Sequence, residues 1–60
     1  MKKIEIMELE NEIVNEEIFA EIEESEEVIG MENCGTSGQD IRYNLWVVTL
    51  EDGTEIEILA

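Results

Sequence analysis

The sequence predicts an α+β fold: a small antiparallel β-sheet ending in a C-terminal hairpin, with one or two short acidic helices packed on it. Three observations carry that reading. Leu45 to Leu50 and Thr54 to Leu59 are rich in β-branched and aromatic residues, and Glu51-Asp52-Gly53 separates them. Val14, Ile18, Ile22, Ser25 and Ile29 recur at the spacing of a helix stripe. Hydrophobic residues make up 43% of the 60 residues, too large a share for a disordered acidic tail. The length suits one small domain over 1–60, with a thin core.

Two registers compete in the hairpin. A two-residue Asp52-Gly53 loop sets Val48 against Glu57. A three-residue loop, with Gly53 in the left-handed conformation, pairs Val48 with Ile56 and Trp46 with Ile58. It gathers Trp46, Val48, Leu50, Ile56 and Ile58 on one face and leaves Glu55 and Glu57 on the other. Hydrophobic patterning favours this second register.

The N-terminal half reads two ways. The stripe from Val14 to Ile29 fits a helix, yet Ile4 and Ile6 alternate with Lys3 and Glu5, and Ile13-Val14 and Ile18-Phe19 favour strands. The reading adopted is a strand over 13–20 and a short helix over 22–29. Ser25 to Gly30 marks that helix's end, with Gly30 as a left-handed cap. Residues 30–40, with three glycines around Thr36 and Ser37, read as turns.

Composition excludes several functions. There is no His, so the side chain most used as general base and as metal ligand is missing. A single cysteine makes no internal disulfide. With 17 Asp+Glu against 3 Lys+Arg, the net charge is −14, which argues against direct contact with nucleic acid or an anionic membrane. The longest apolar run, Leu45 to Val48, is far short of a membrane span. Glu5 and Glu8 interrupt any signal peptide that Lys2 and Lys3 could begin, so the expected address is cytoplasmic.

The candidate chemistry is weak. Nothing near Cys34 can generate a thiolate, so it reads as a small buried residue or an idle thiol. Gly35-Thr36-Ser37-Gly38 shares only its glycines with phosphate-binding loops, since no Lys follows. Glu51-Asp52-Gly53 is too short for a calcium loop, and Asp52 has a sufficient role in the turn. No enzyme activity, cofactor or dedicated metal site is expected.

What remains is the acidic surface. Glu16, Glu17, Glu21, Glu23, Glu24, Glu26 and Glu27 place seven carboxylates in twelve positions. Alternate strand residues lie about 6.6 Å apart, and helix residues four apart are separated by about 6 Å of rise. Either spacing approximates successive phosphates on one nucleic-acid strand. A solvated face that keeps the protein soluble is the plainer alternative, but −14 is well beyond the magnitude of roughly 2–8 that solubility asks of a small domain. The excess costs stability through self-repulsion, and mimicry of DNA supplies a reason for it.

The stretch from Asn15 to Gly30, NEEIFAEIEESEEVIG, resembles a segment of the phage uracil-DNA glycosylase inhibitor family that runs from the glycosylase-contacting strand into an acidic helix. Tyr43-Asn44-Leu45-Trp46, with Asp52 six residues after the Trp, is similar to that family's penultimate strand and final hairpin. The two patches cover roughly half the chain. Family members are longer, with two helices and a five-stranded antiparallel sheet, so one or two strands would be absent here. Ile22 stands where the family's helix opens on a Pro.

The resemblance implies roles. Glu16 falls on the strand carboxylate that enters the glycosylase's DNA-binding cleft, with Glu17 beside it. Glu24 and Glu27 fall on helix carboxylates at phosphate-like positions; Glu17 and Glu23, from the same acidic run, join them as candidate partner-binding residues. Ala20, Ser25, Val28 and Ile29 fall on an apolar pocket that grips the Leu with which the glycosylase wedges the base stack; the plainer alternative for Val28 and Ile29 is ordinary core. The implied function is a DNA-mimicking inhibitor of host uracil-DNA glycosylase. The alternatives are a DNA mimic aimed at a restriction or CRISPR nuclease, or an acidic precursor or carrier peptide recognised by a partner enzyme.

Overall fold

The computed structural model describes residues 1–60. Five elements follow in order: α1 (Lys3–Met7), α2 (Glu16–Glu24), β1 (Val28–Thr36), β2 (Asn44–Leu50) and β3 (Glu55–Leu59). The strands form one antiparallel sheet in the order β1-β2-β3, and the α+β expectation stands.

The hairpin adopts the register that its hydrophobic pattern favours. Val48 pairs with Ile56 and Trp46 with Ile58, and Gly53 takes φ 91°. That conformation is costly for any residue with a Cβ, which explains glycine at the turn. Asp52 accepts a hydrogen bond from the Thr54 N–H at 3.0 Å and pairs with Lys3, tying α1 to the turn.

The N-terminal half departs from the expected strand over 13–20. Asn15 caps a helix there, its side-chain oxygen accepting from the Ile18 N–H at 2.8 Å, and Glu16 and Glu17 occupy the first turn where the dipole favours acids. Val14 and Phe19 stand at the two positions of a hydrophobic staple. Helix packing thus overrides the β-propensity of Ile18 and Phe19. Ile4 and Ile6, whose alternation with charged residues suggested a strand, lie on α1, where Ile6 is fully buried.

The short helix expected over 22–29 is likewise corrected. Helix α2 ends at Glu24, and Ser25 turns extended with ψ 133°. Its hydroxyl donates to the Met1 carbonyl at 2.6 Å and accepts from the Glu27 N–H at 3.2 Å, which competes with a further helical turn. Val28 then enters β1 opposite Leu50, and Ile29 is the extra residue of a bulge before Gly30 pairs with Thr49. Gly30 is therefore a strand residue and caps no helix. Most of the segment expected as turns is sheet as far as Thr36. The second irregularity lies between Asn33 and Thr36, where Gly35 has φ 91°.

The core forms where the helices cover one face of the sheet. Ile6, Val14, Ile22, Val48, Leu50, Ile56 and Ile58 make a single buried cluster, with Ile18, Phe19, Val28 and Trp46 packed against it. Residues 11–14 run beside the outer edge of β3. The Asn11 N–H donates to the Glu57 carbonyl, the Val14 N–H to the Leu59 carbonyl, and the Leu59 N–H to the Glu12 carbonyl. The outer edge of β1 has no partner strand, and two bulges together with Glu32 mark it against pairing with another chain. No helix is long and apolar enough to cross a membrane.

Candidate protein-docking surface

Helix α2 sets the geometry of the acidic surface. Ile18 and Ile22 turn inward, Ile22 being fully buried, so the glutamates must face out. Glu17, Glu21 and Glu24 follow one another at i, i+4 and i+7 along one exposed row. Glu16 and Glu23, seven apart and about 10 Å in rise, flank Ala20 on the neighbouring row. The last turn carries Glu23 and Glu24 and no basic residue, against the helix dipole.

Cations do little to relieve this surface. Lys3 pairs with Asp52, and Arg42 pairs with Asp40 at 2.8 Å, so two of the three cations bind aspartates away from α2. No glutamate forms an ion pair. The Arg42 guanidinium forks onto both oxygens of Asp40 and holds its carboxyl well below the ordinary range, at about 2. The Lys3 ammonium lowers Asp52 in the same direction, helped by the Thr54 backbone N–H.

Beside the acidic rows lies a groove of about 560 Å³ between α2 and the start of β2. Phe19, Tyr43 and Trp46 line it, and they are the only aromatic residues of the chain. Ala20, Glu16 and Glu23 share the lining. Phe19 and Trp46 meet edge to face, with ring centroids 4.9 Å apart at 70°. Its size is that of a small-ligand or side-chain site.

The expected site residues are only partly brought together. Glu16, Glu17, Glu23 and Glu24 are exposed on α2, and Glu27 is half-buried in the turn that follows. Glu16 lies on a helix, not on the strand that the family resemblance implies. The apolar pocket of Ala20, Ser25, Val28 and Ile29 does not form. Ala20 lines the aromatic groove, Ser25 is buried beneath Met1, Val28 packs on the core, and Ile29 stands out at a bulge, 66% exposed. For Val28, the plainer reading as a core residue holds.

Sequence reasoning missed the groove. The available signal was Phe19 beside the helix stripe and Trp46 on the core-facing side of the hairpin, which a helix over 16–24 brings face to face. The remaining candidates carry nothing. Cys34 is exposed, which leaves the idle thiol of its two readings. Ser37 is buried; its hydroxyl accepts from the Gln39 and Asp40 N–H groups, and its own N–H donates to the Tyr43 carbonyl, so the glycine-rich segment turns its polar groups inward.

No protein-family model, no curated protein and no solved structure matches the chain.

Proposed function

We propose that this chain is a DNA-mimicking protein inhibitor, not an enzyme, that binds and blocks uracil-DNA glycosylase in the host bacterial cytoplasm. The observation that carries the reading is the row structure of α2: carboxylates at phosphate-like spacing, none ion-paired, with Glu23 and Glu24 set against the helix dipole in the last turn. Such a surface steers itself into a basic groove and replaces phosphate contacts there, while the adjacent apolar groove slows dissociation. The likeness of residues 15–30 and 43–46 to the phage inhibitor family favours the glycosylase over other enzymes with basic grooves. Placement of Glu16 on a helix keeps a second target class, a restriction or CRISPR nuclease, as the alternative. A carrier or precursor peptide is disfavoured, because the N-terminal half is bonded to β3 and contributes Ile6 and Val14 to the core.

The test is uracil excision from a labelled oligonucleotide, with the protein titrated at two salt concentrations. Inhibition is expected to compete with DNA and to weaken as salt rises. Glu16→Gln, beside the groove, is expected to cost about 2–5 kcal/mol of affinity, mostly through faster dissociation. Glu24→Gln, on the more exposed row, costs about 1 kcal/mol or less. Undiminished excision at large molar excess of folded protein rejects the glycosylase as target. Equal losses for Glu16→Gln and Glu55→Gln leave only non-specific acidity.

A further inference from the structure

Three aromatic side chains and two unpaired carboxylates converge on one opening, and that combination selects a particular visitor. We propose that the groove between α2 and β2 is a subsite for an arginine side chain presented by a basic protein partner. The proposal rests on the partner being basic, and on nothing about which enzyme it is.

The chemistry of the lining argues for a planar cation. Phe19 and Trp46 meet edge to face at 70° within the lining, so the groove offers a flat group aromatic surface in two orientations. Aromatic faces attract cations, and guanidinium stacks on them better than ammonium. Glu16 and Glu23 stand at the border with no cation of their own, each able to take both arms of a guanidinium fork. A leucine entering the same groove would strip water from those carboxylates and return no hydrogen bond. With a net charge of −14, the chain repels anionic visitors and a second copy of itself alike.

The molecule already holds one guanidinium in this way. Arg42 forks onto Asp40 at 3.1 and 2.8 Å and lies 5.5 Å from the centroid of the Tyr43 ring. One carboxylate and one aromatic ring suffice there on an exposed loop. The groove offers two of each beyond Tyr43, in a concave setting.

Trp46 is the only tryptophan, so its fluorescence reports on the groove directly. The experiment titrates tripeptide amides with arginine, lysine, citrulline or leucine at the centre into the intact protein at about 0.02 M salt, where charge is least screened. Arginine is expected to move the Trp46 emission and the indole NMR signal saturably, with lysine weaker. Citrulline, which keeps the shape and loses the charge, should be roughly tenfold weaker or silent. Glu16→Gln and Glu23→Gln should each weaken the arginine peptide about threefold to fivefold, and Glu55→Gln, on the far sheet face, should leave it unchanged. Both groove positions are exposed, so their variants fold.

Leucine binding as well as arginine, or Glu55→Gln matching Glu16→Gln, overturns the subsite. So does a silent Trp46 with every peptide. If Trp46 stays silent while the protein still inhibits the glycosylase and the Glu17, Glu21 and Glu24 variants weaken inhibition, the subsite fails and the DNA-mimic reading stands. Arginine binding without inhibition gives the reverse.

Discussion

Replacing Glu21 by lysine should stabilise the fold and weaken docking at once. Glu21 lies mid-helix, four residues after Glu17 and three before Glu24, with no hydrogen bond or ion pair to lose. Each of its two helix neighbours is now a like-charge pair, costing about 0.2–0.5 kcal/mol, and each becomes attractive by a similar amount after reversal. Glu17 then stands four residues ahead of the introduced cation, which is the better orientation for the dipole. Two pairs together give a gain of about 0.8–2 kcal/mol. For a domain of this size, each 1 kcal/mol moves the melting temperature by about 4–8 °C. Circular dichroism melts at about 0.02 and 0.5 M salt provide the assay, with Glu21→Gln expected near half the gain. The gain should largely vanish at high salt. A melting temperature that falls at low salt, or a gain indifferent to salt, refutes the view that α2 is held under its own repulsion.

Three further outcomes follow from the same structure. Lowering pH from 8 towards 4 should raise the melting temperature as the net charge of −14 falls; below about pH 3.8 it should drop, because Asp40, depressed to about 2, contributes stability above its ordinary value of 3.8 that is lost as pH falls through about 2. A monotonic decline from pH 8 downward contradicts this. Ser25→Ala should cost about 1–2 kcal/mol in urea denaturation, since it strands the part-buried Met1 carbonyl and the Glu27 N–H, and a neutral result would deny the hydroxyl its part in ending α2. Cys34→Ser should change stability by less than about 0.5 kcal/mol and leave any inhibition intact, because the thiol is exposed and has no cysteine partner; loss of such inhibition in the folded variant would assign it a role.

What could be read in advance was local. The hairpin was legible because its register follows from side-chain alternation over a dozen contiguous residues, and Gly53 names its own turn. The N-terminal half was not, because Ile, Val and Glu satisfy both the helix stripe and the strand preference. Asn15 decides the start of α2, and that start is stable only when Ile18 and Ile22 find the sheet. Gly30 looked like a helix cap because its sheet partner, Thr49, lies far along the chain. The acidic residues were visible from composition, but the groove needed Phe19 and Trp46 to meet, which only the tertiary fold arranges.

The distribution of charge bears most directly on purpose. If acidity served solubility alone, scattered glutamates would suffice and the few cations would best serve stability on α2. Instead Lys3 and Arg42 fasten the hairpin turn and the loop before β2, while α2 keeps Glu23 and Glu24 at the end where its dipole is least welcoming. The helix survives through what lies beneath it: the Asn15 cap, Ile18, and Ile22 sealed in the core. Its inward face is packed on the core and its outward face carries five glutamates with no ion pair, and the aromatic groove opens beside them. A partner's cations would relieve that repulsion on docking. In the proposed docking, the free energy withheld from the fold would reappear as affinity, which is why the Glu21 reversal is expected to move stability and binding in opposite directions.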